Sequence, residues 1–273
     1  MRGKVRRGRV VSAMIALALA GALAGCSQTA RKAVSAQTTA STGAPSQQNV
    51  AMMSARDLQA AADSVGKLYV RDPRDKAVAL RYANILQMSG RADQSLAVMR
   101  KLAIDHPKDR DVLAAYGKAL AAVGELEPAL DAIRRAQTPE YPDWRLLSAE
   151  GAILDQLGKP DEARALYRRA LDLRPDEASV LSNLGMSYLL QGDLKTAEIY
   201  MAKAVAAPGA DSRVRQNLAL VVGLQGRFND AEAIARRELS PEQAEANVAY
   251  LRAMIAQRDG WSEIAREDAA NAI

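Results

Sequence analysis

Aromatic rings are scarce in this chain: one Phe, two Trp and eight Tyr among 273 residues. Large rings therefore cannot dominate a core. Alanine and leucine must fill it, which favours close-packed helices over a β-sandwich. A single Cys excludes an internal disulfide, and one Cys with one His cannot assemble the usual zinc sites. Acidic residues are missing before Asp57, while Arg2, Lys4, Arg6, Arg7 and Arg9 crowd the first ten positions. Those five cations equal the whole excess of 37 basic over 32 acidic residues. A basic balance of this kind invites a nucleic-acid partner, but beyond residue 25 the chain is formally neutral. Catalytic motifs are missing too. There is no H-E-x-x-H, no phosphate-binding or dinucleotide-binding glycine loop and no G-x-S-x-G. Ser64-Val65-Gly66-Lys67 has S-x-x-K spacing without the S-D-N and K-T-G that make it catalytic. His106 stands before Pro107 and reads as a turn residue. The sequence thus predicts no enzyme, no catalytic residue, no metal site, no cofactor, no nucleic-acid partner and no small-molecule substrate.

What the N-terminus does contain is an export address. After the basic stretch, Val10 to Gly25 is apolar except for Ser12 and is 16 residues long, just short of the ~18 to 20 that span a bilayer comfortably. A basic region followed by a short apolar run has the layout of a secretory signal peptide. Leu23-Ala24-Gly25-Cys26 resembles a bacterial lipobox. The resemblance implies cleavage before Cys26 and transfer of a diacylglyceryl group to its thiol. An uncleaved anchor or a plain signal peptide are the other readings, but the only Cys stands where the motif requires it. Each buried CH₂ contributes ~0.8 kcal/mol, so several acyl chains hold firmly where one binds marginally. Ser27, rather than Asp, follows the Cys; in two-membraned bacteria this implies the periplasmic side of the outer membrane. The next stretch is rich in Ser, Thr, Ala and Gln without apolar periodicity, and so reads as a flexible tether. Residues 1–25 are assigned to the signal peptide and 26–53 to the lipidated Cys and tether.

A 34-residue period organises the rest. Gly90, Gly124, Gly158, Gly192, Gly226 and Gly260 follow one another at that spacing without an insertion. In the same frame stand the small residues Ser95, Ala129, Ala163, Ala197, Ala231 and Ala265, and then Met99, Ile133, Tyr167, Met201, Ala235 and Ala269. Gly117, Gly151 and Gly185 form another column. With Pro73, Pro107 and Pro175 at unit ends, the pattern resembles the tetratricopeptide repeat, two antiparallel helices per unit. It implies an all-α, right-handed superhelical solenoid of helix-turn-helix repeats with no second domain. The expected division is an N-terminal capping helix at 54–75, five repeats over 76–245 and a C-terminal partial repeat at 246–273. In that last unit, Ala246 to Gln257 is expected as the first helix, ended by Gly260.

In such arrays the first helix of each unit lines the concave face, which implies a groove. Among the residues it assigns there are Asn84, Lys118 and Arg145 in the earlier units. In the later ones it assigns Asn183, Met186, Leu189, Arg213, Gln216, Asn217, Leu220, Asn247 and Tyr250 as partner-binding candidates. Two Asn amides and the Arg213 guanidinium could bind an extended peptide's backbone or carboxylate. Met186 and Leu189 fit a helix or peptide partner, and equally ordinary solenoid packing. Leu80 occupies the place where carboxylate-clamping repeats carry Lys, so that full clamp is absent.

Three stretches are more particular: residues 136–158, 181–194 and above all 212–254, SRVRQNLALVVGLQGRFNDAEAIARRELSPEQAEANVAYLRAM. They resemble the TadD family, the tetratricopeptide lipoproteins of the tight-adherence (Flp) pilus assembly system, most closely its α-proteobacterial forms. The resemblance implies a non-enzymatic assembly factor at the outer membrane. Its partners would be the secretin pore and other pilus assembly proteins, and its membrane contact a lipid anchor. Another envelope client, such as a peptidoglycan hydrolase or the β-barrel assembly machine, is the alternative within the binding class, and an enzyme with an unrecognised site the alternative outside it.

Overall fold

A computed structural model describes residues 54–271 except 139 and 141, with side chains described to residue 257. The signal peptide, Cys26 and the tether lie outside the described residues. Within them the chain forms twelve α-helices and no strand. These are α1 Ala55–Arg71, α2 Lys76–Met88, α3 Ala92–Asp105, α4 Arg110–Ala122, α5 Leu126–Ala136 and α6 Trp144–Gln156, followed by α7 Pro160–Leu173, α8 Ala178–Leu190, α9 Leu194–Ala206, α10 Ser212–Leu224, α11 Phe228–Ala235 and α12 Pro241–Asn271. Even-numbered helices from α2 to α10 begin 34 residues apart, and so do the odd ones from α3 to α11. The described residues fall into two compact units, one through Leu157 and one from Gly158 onward. The first holds α1, the hairpins α2–α3 and α4–α5, and α6. The second holds α7, the hairpins α8–α9 and α10–α11, and α12.

Local chemistry sets each boundary. Gly90, Gly124, Gly158, Gly192 and Gly226 have φ between +73° and +85°, a region that costs a residue bearing Cβ about 1–2 kcal/mol. At the first of these the Arg91 amide donates to the Leu86 carbonyl at 2.9 Å and the Gly90 amide to the Gln87 carbonyl at 3.1 Å. That pair of bonds satisfies the last carbonyls of α2 and turns the chain straight into α3. The opposite ends are held by carboxylates. Asp75, Asp109, Asp143 and Asp211 accept from backbone amides in the first turns of α2, α4, α6 and α10, satisfying donors that have no partner within the helix.

Hairpins close through small residues. A Cβ on Gly185 would lie 3.1 Å from the Ala197 carbonyl oxygen and equally near Met201, and one on Gly117 only 2.8 Å from Ile133. In the first hairpin, Ser95 donates its hydroxyl to the Ala83 carbonyl at 2.8 Å, so its polar atom is satisfied at 1% exposure. Behind these contacts Met99, Ile133, Tyr167 and Met201 are fully buried. Between hairpins, Lys76 Nζ reaches Asp109 at 2.6 Å and Asp111 at 3.1 Å, joining the starts of α2 and α4.

The last element departs from the expected frame. α12 begins at Pro241, five residues early, and continues through Gly260 without ending there. The reason is a reciprocal cap. Ser240 accepts from the Gln243 amide at 3.3 Å while the Gln243 side chain accepts from the Ser240 amide at 3.2 Å, with Pro241 in the first turn where its missing N–H is harmless. This start shortens α11 to eight residues.

Two measurements check this account. Gly185→Ala should lower the free energy of urea unfolding by about 1–3 kcal/mol through overpacking. Gly90→Ala, which meets open space, should cost about 1–2 kcal/mol through φ alone. An unchanged Gly185→Ala would remove close approach as the reason for that glycine. Lys76 holds the Asp109 carboxyl below its ordinary value, chiefly through their hydrogen bond. A lowered folded value means this contribution is present above the unfolded carboxylate pKa, about 3.9, and is lost as pH falls through the folded one. Asp109→Asn keeps the helix cap and removes the charge, so its melting temperature should begin to converge on that of the parent below about pH 4 and meet it once pH is under the lowered folded value.

Candidate functional site: the face of α8 and α10

The predicted groove residues of the second unit divide into three kinds. Leu189 is not a lining residue: it is 0% exposed and packs with Ala197, Met201 and Val221. The sequence frame places it at a lining position, but α9 and α10 seal it from both sides. Asn217 is half-buried and donates from Nδ2 to Ser182 Oγ at 3.1 Å, while Ser182 in turn donates to Met201 Sδ at 3.6 Å. This chain ties α10 to α8 and α9, so the Asn217 amide serves the fold. Asn183 is half-buried and partnered as well.

Arg213 and Gln216 stay exposed on α10, Arg213 with Asp211 at 3.9 Å and Gln216 with the Ser212 hydroxyl at 3.0 Å. Met186 and Leu220 are half-buried, their inner sides packed on the Leu189 cluster. Together these four present an apolar strip edged by an amide and a guanidinium, the chemistry suited to a peptide with alternating apolar and polar contacts.

Asn247 and Tyr250 stand one period after Arg213 and Gln216 and are exposed as they are. The early start adds turns ahead of Ala246 without changing which later residues share a face, and Val248, 34 residues after the buried Val214, is itself buried. The face of α12 that packs carries Ala244 at 0% and Val248 at 5% exposure. Asn247 is exposed, and Tyr250 is 59% exposed on the side away from that packing. Sequence reasoning missed the early start because the Ser240-Pro-Glu-Gln243 cap signature lies outside the 34-residue frame.

In the first unit, Asn84 is half-buried, while Lys118 and Arg145 are exposed. The protein massed around the Lys118 ammonium pushes its pKa down, with Asp143 opposing and Arg145 reinforcing the shift. Arg145 lies over the Trp144 ring, 4.5 Å from its centroid. Ser64 and Lys67 are both exposed on α1. Among the described residues no three or more His, Cys, Asp or Glu are grouped to hold a metal ion. Nor is any described helix long and apolar enough to cross a membrane.

Two models of the tetratricopeptide repeat match the chain, over residues 52–119 and 149–212. This is a tetratricopeptide-repeat protein. Among solved structures it is similar to a thermophilic tetratricopeptide-repeat protein of Thermus thermophilus, at 23% identity and a TM-score of 0.55 over 63% of this chain and 96% of that one. It is similar also to PilW, described as a widely conserved type IV pilus biogenesis factor, at 19% identity and a TM-score of 0.56 over 67% and 86%. A tetratricopeptide-repeat protein from Parabacteroides merdae ATCC 43184 gives 18% identity and 0.54 over 76% and 82%. At these identities the likeness concerns the fold. No curated protein matches.

Separating packing from lining gives a test. Leu189→Ala should cost about 2–5 kcal/mol of stability as a buried truncation, whereas Gln216→Ala should stay within about 0.5 kcal/mol. Urea titration of both variants reads the difference, and equal effects would contradict the division.

Proposed function

We propose that this repeat protein is a non-enzymatic scaffold of the outer membrane, lipid-anchored at Cys26 on the periplasmic side. Its client is the secretin of a tight-adherence (Flp) pilus, which it helps to reach the membrane or to multimerise. The reading is carried by the sequence resemblance over 136–158, 181–194 and 212–254 joined to a lipobox whose Cys is the only one in the chain. The face of α8 and α10 is its working surface in this proposal, because Met186, Gln216, Arg213 and Leu220 are predicted residues of these two helices that keep surface to offer. PilW shares the fold and is itself described as a pilus biogenesis factor, so the reading asks nothing unusual of the architecture. Lipid supplies the address and the repeat face supplies the grip.

Replacing Cys26 with Ala should leave the folded part intact and reduce secretin multimers in the outer membrane; normal multimers would refute the anchoring role. Arg213→Glu with Gln216→Ala should weaken binding of the purified secretin about tenfold, ~1.4 kcal/mol, without lowering the melting temperature. Crosslinks from the secretin that avoid α8 and α10 altogether would refute the assignment of the face.

A further inference from the structure

The column of Leu86, Leu120 and Leu154 is interrupted by Tyr188, and that of Val98, Ala132 and Leu166 by Tyr200. Both departures fall in the α8–α9 hairpin, and the two rings stack at 5.5 Å between centroids with planes 3° apart. Cations extend the stack. Arg164 lies 4.9 Å from the Tyr188 centroid, and Lys203 Nζ lies 5.5 Å from that of Tyr200. Arg168 donates to the Tyr188 hydroxyl at 3.2 Å. The order in contact is Arg164, Tyr188, Tyr200, Lys203.

We propose that this surface of α7 and α9 is a second docking site, taking a carboxylate-rich segment of a protein partner. Arg164 is already neutralised by Asp161 at 2.6 Å and is largely covered. Arg168, Arg169 and Lys203 are exposed, and none has a carboxylate within 4.0 Å among the described residues. One of the five N–H donors of Arg168 is spent on Tyr188, so a bidentate carboxylate can be taken without breaking the stack. Helix-end electrostatics accounts for Lys203, in the last turn of α9, but not for Arg168 and Arg169. α7 has no basic residue in its last turn, and the dipole effect fades beyond that turn.

On α9 the exposed Lys195, Ile199 and Lys203 follow at four-residue spacing, so they share one face. Ile199 is 56% exposed and offers one apolar contact between two cations. That pattern fits an acidic peptide with an occasional aliphatic residue better than a bilayer, which needs a broad apolar face to insert. Ring stacking and cation–π contact hold the donors in place before binding, which lowers the entropic cost of ordering them.

The full chain in detergent can be titrated into a fluorescein-labelled Glu-rich peptide bearing two leucines, and into its Gln-for-Glu analogue, with anisotropy as readout. The Glu peptide should bind about tenfold tighter than the Gln analogue and lose affinity as salt rises. Arg168→Glu with Lys203→Glu should remove that preference at an unchanged melting temperature. Arg168→Gln with Lys203→Gln serves if the first variant is less stable, and Arg213→Glu with Gln216→Ala should retain the preference. Equal affinity for the two peptides, or a preference that survives both cation variants, would overturn the proposal. So would binding to phosphatidylglycerol vesicles, lost in the same variants, with no affinity for the peptide.

Discussion

The whole fold depends on one constraint, the close approach of two antiparallel helices across a turn of fixed length. A glycine in the left-handed region ends the first helix, and the second begins two residues later. Because the turn never varies, side chains facing each other in one hairpin face each other in the next. Gly185 then admits the Ala197 backbone at a distance that a side chain could hold only by pushing its neighbours back. Neither helix could bury its apolar stripe alone. The hairpin buries one side of that stripe, and the neighbouring helix is needed for the other.

That second requirement decides what is left for function. Leu189 and Asn217 occupy places that a repeating pattern assigns to the lining, yet both are consumed in joining α8, α9 and α10. Their loss to packing leaves a smaller set on the same face, in which Met186 and Leu220 show only their outer sides. Hydrogen bonds within and between hairpins follow the same logic. Arg215 is committed to Glu238 and the Ala210 carbonyl, and Glu198 to Arg227 and Gln225. A charged side chain is available to a partner only where the stack has not already matched it.

Periodicity made the fold legible because each glycine and alanine column marks a contact that recurs. The column of Asp75, Asp109, Asp143 and Asp211 was equally open to reading, since a carboxylate just before an apolar run is a helix-start signal. Two kinds of feature lay beyond the period. Ser240 to Gln243 sets a local start that lengthens the last helix ahead of the frame, while Asn247 and Tyr250 keep the exposure of Arg213 and Gln216 one period before them. The Tyr188–Tyr200 stack joins two columns that elsewhere are aliphatic, so no repeat predicts that the rings meet. Repetition specifies architecture, and departures from it specify surfaces.

Both candidate surfaces meet on α8. Met186 and Tyr188 are two residues apart, about 200° around a helix, so the α8–α10 face and the cationic surface of α7 and α9 lie on opposite sides of one helix. The rest of α8 is nearly all core, with Val180, Leu184, Ser187 and Leu189 at 0% exposure. A ligand on either side therefore presses on an element that cannot yield without opening the packing beneath it. Two segments of one partner held on both sides would bind with the second contact made intramolecular, a gain set by the length of chain between them rather than by any new contact. Modest grip on each side would then suffice for residues 26–273, which are formally neutral and cannot draw on net charge.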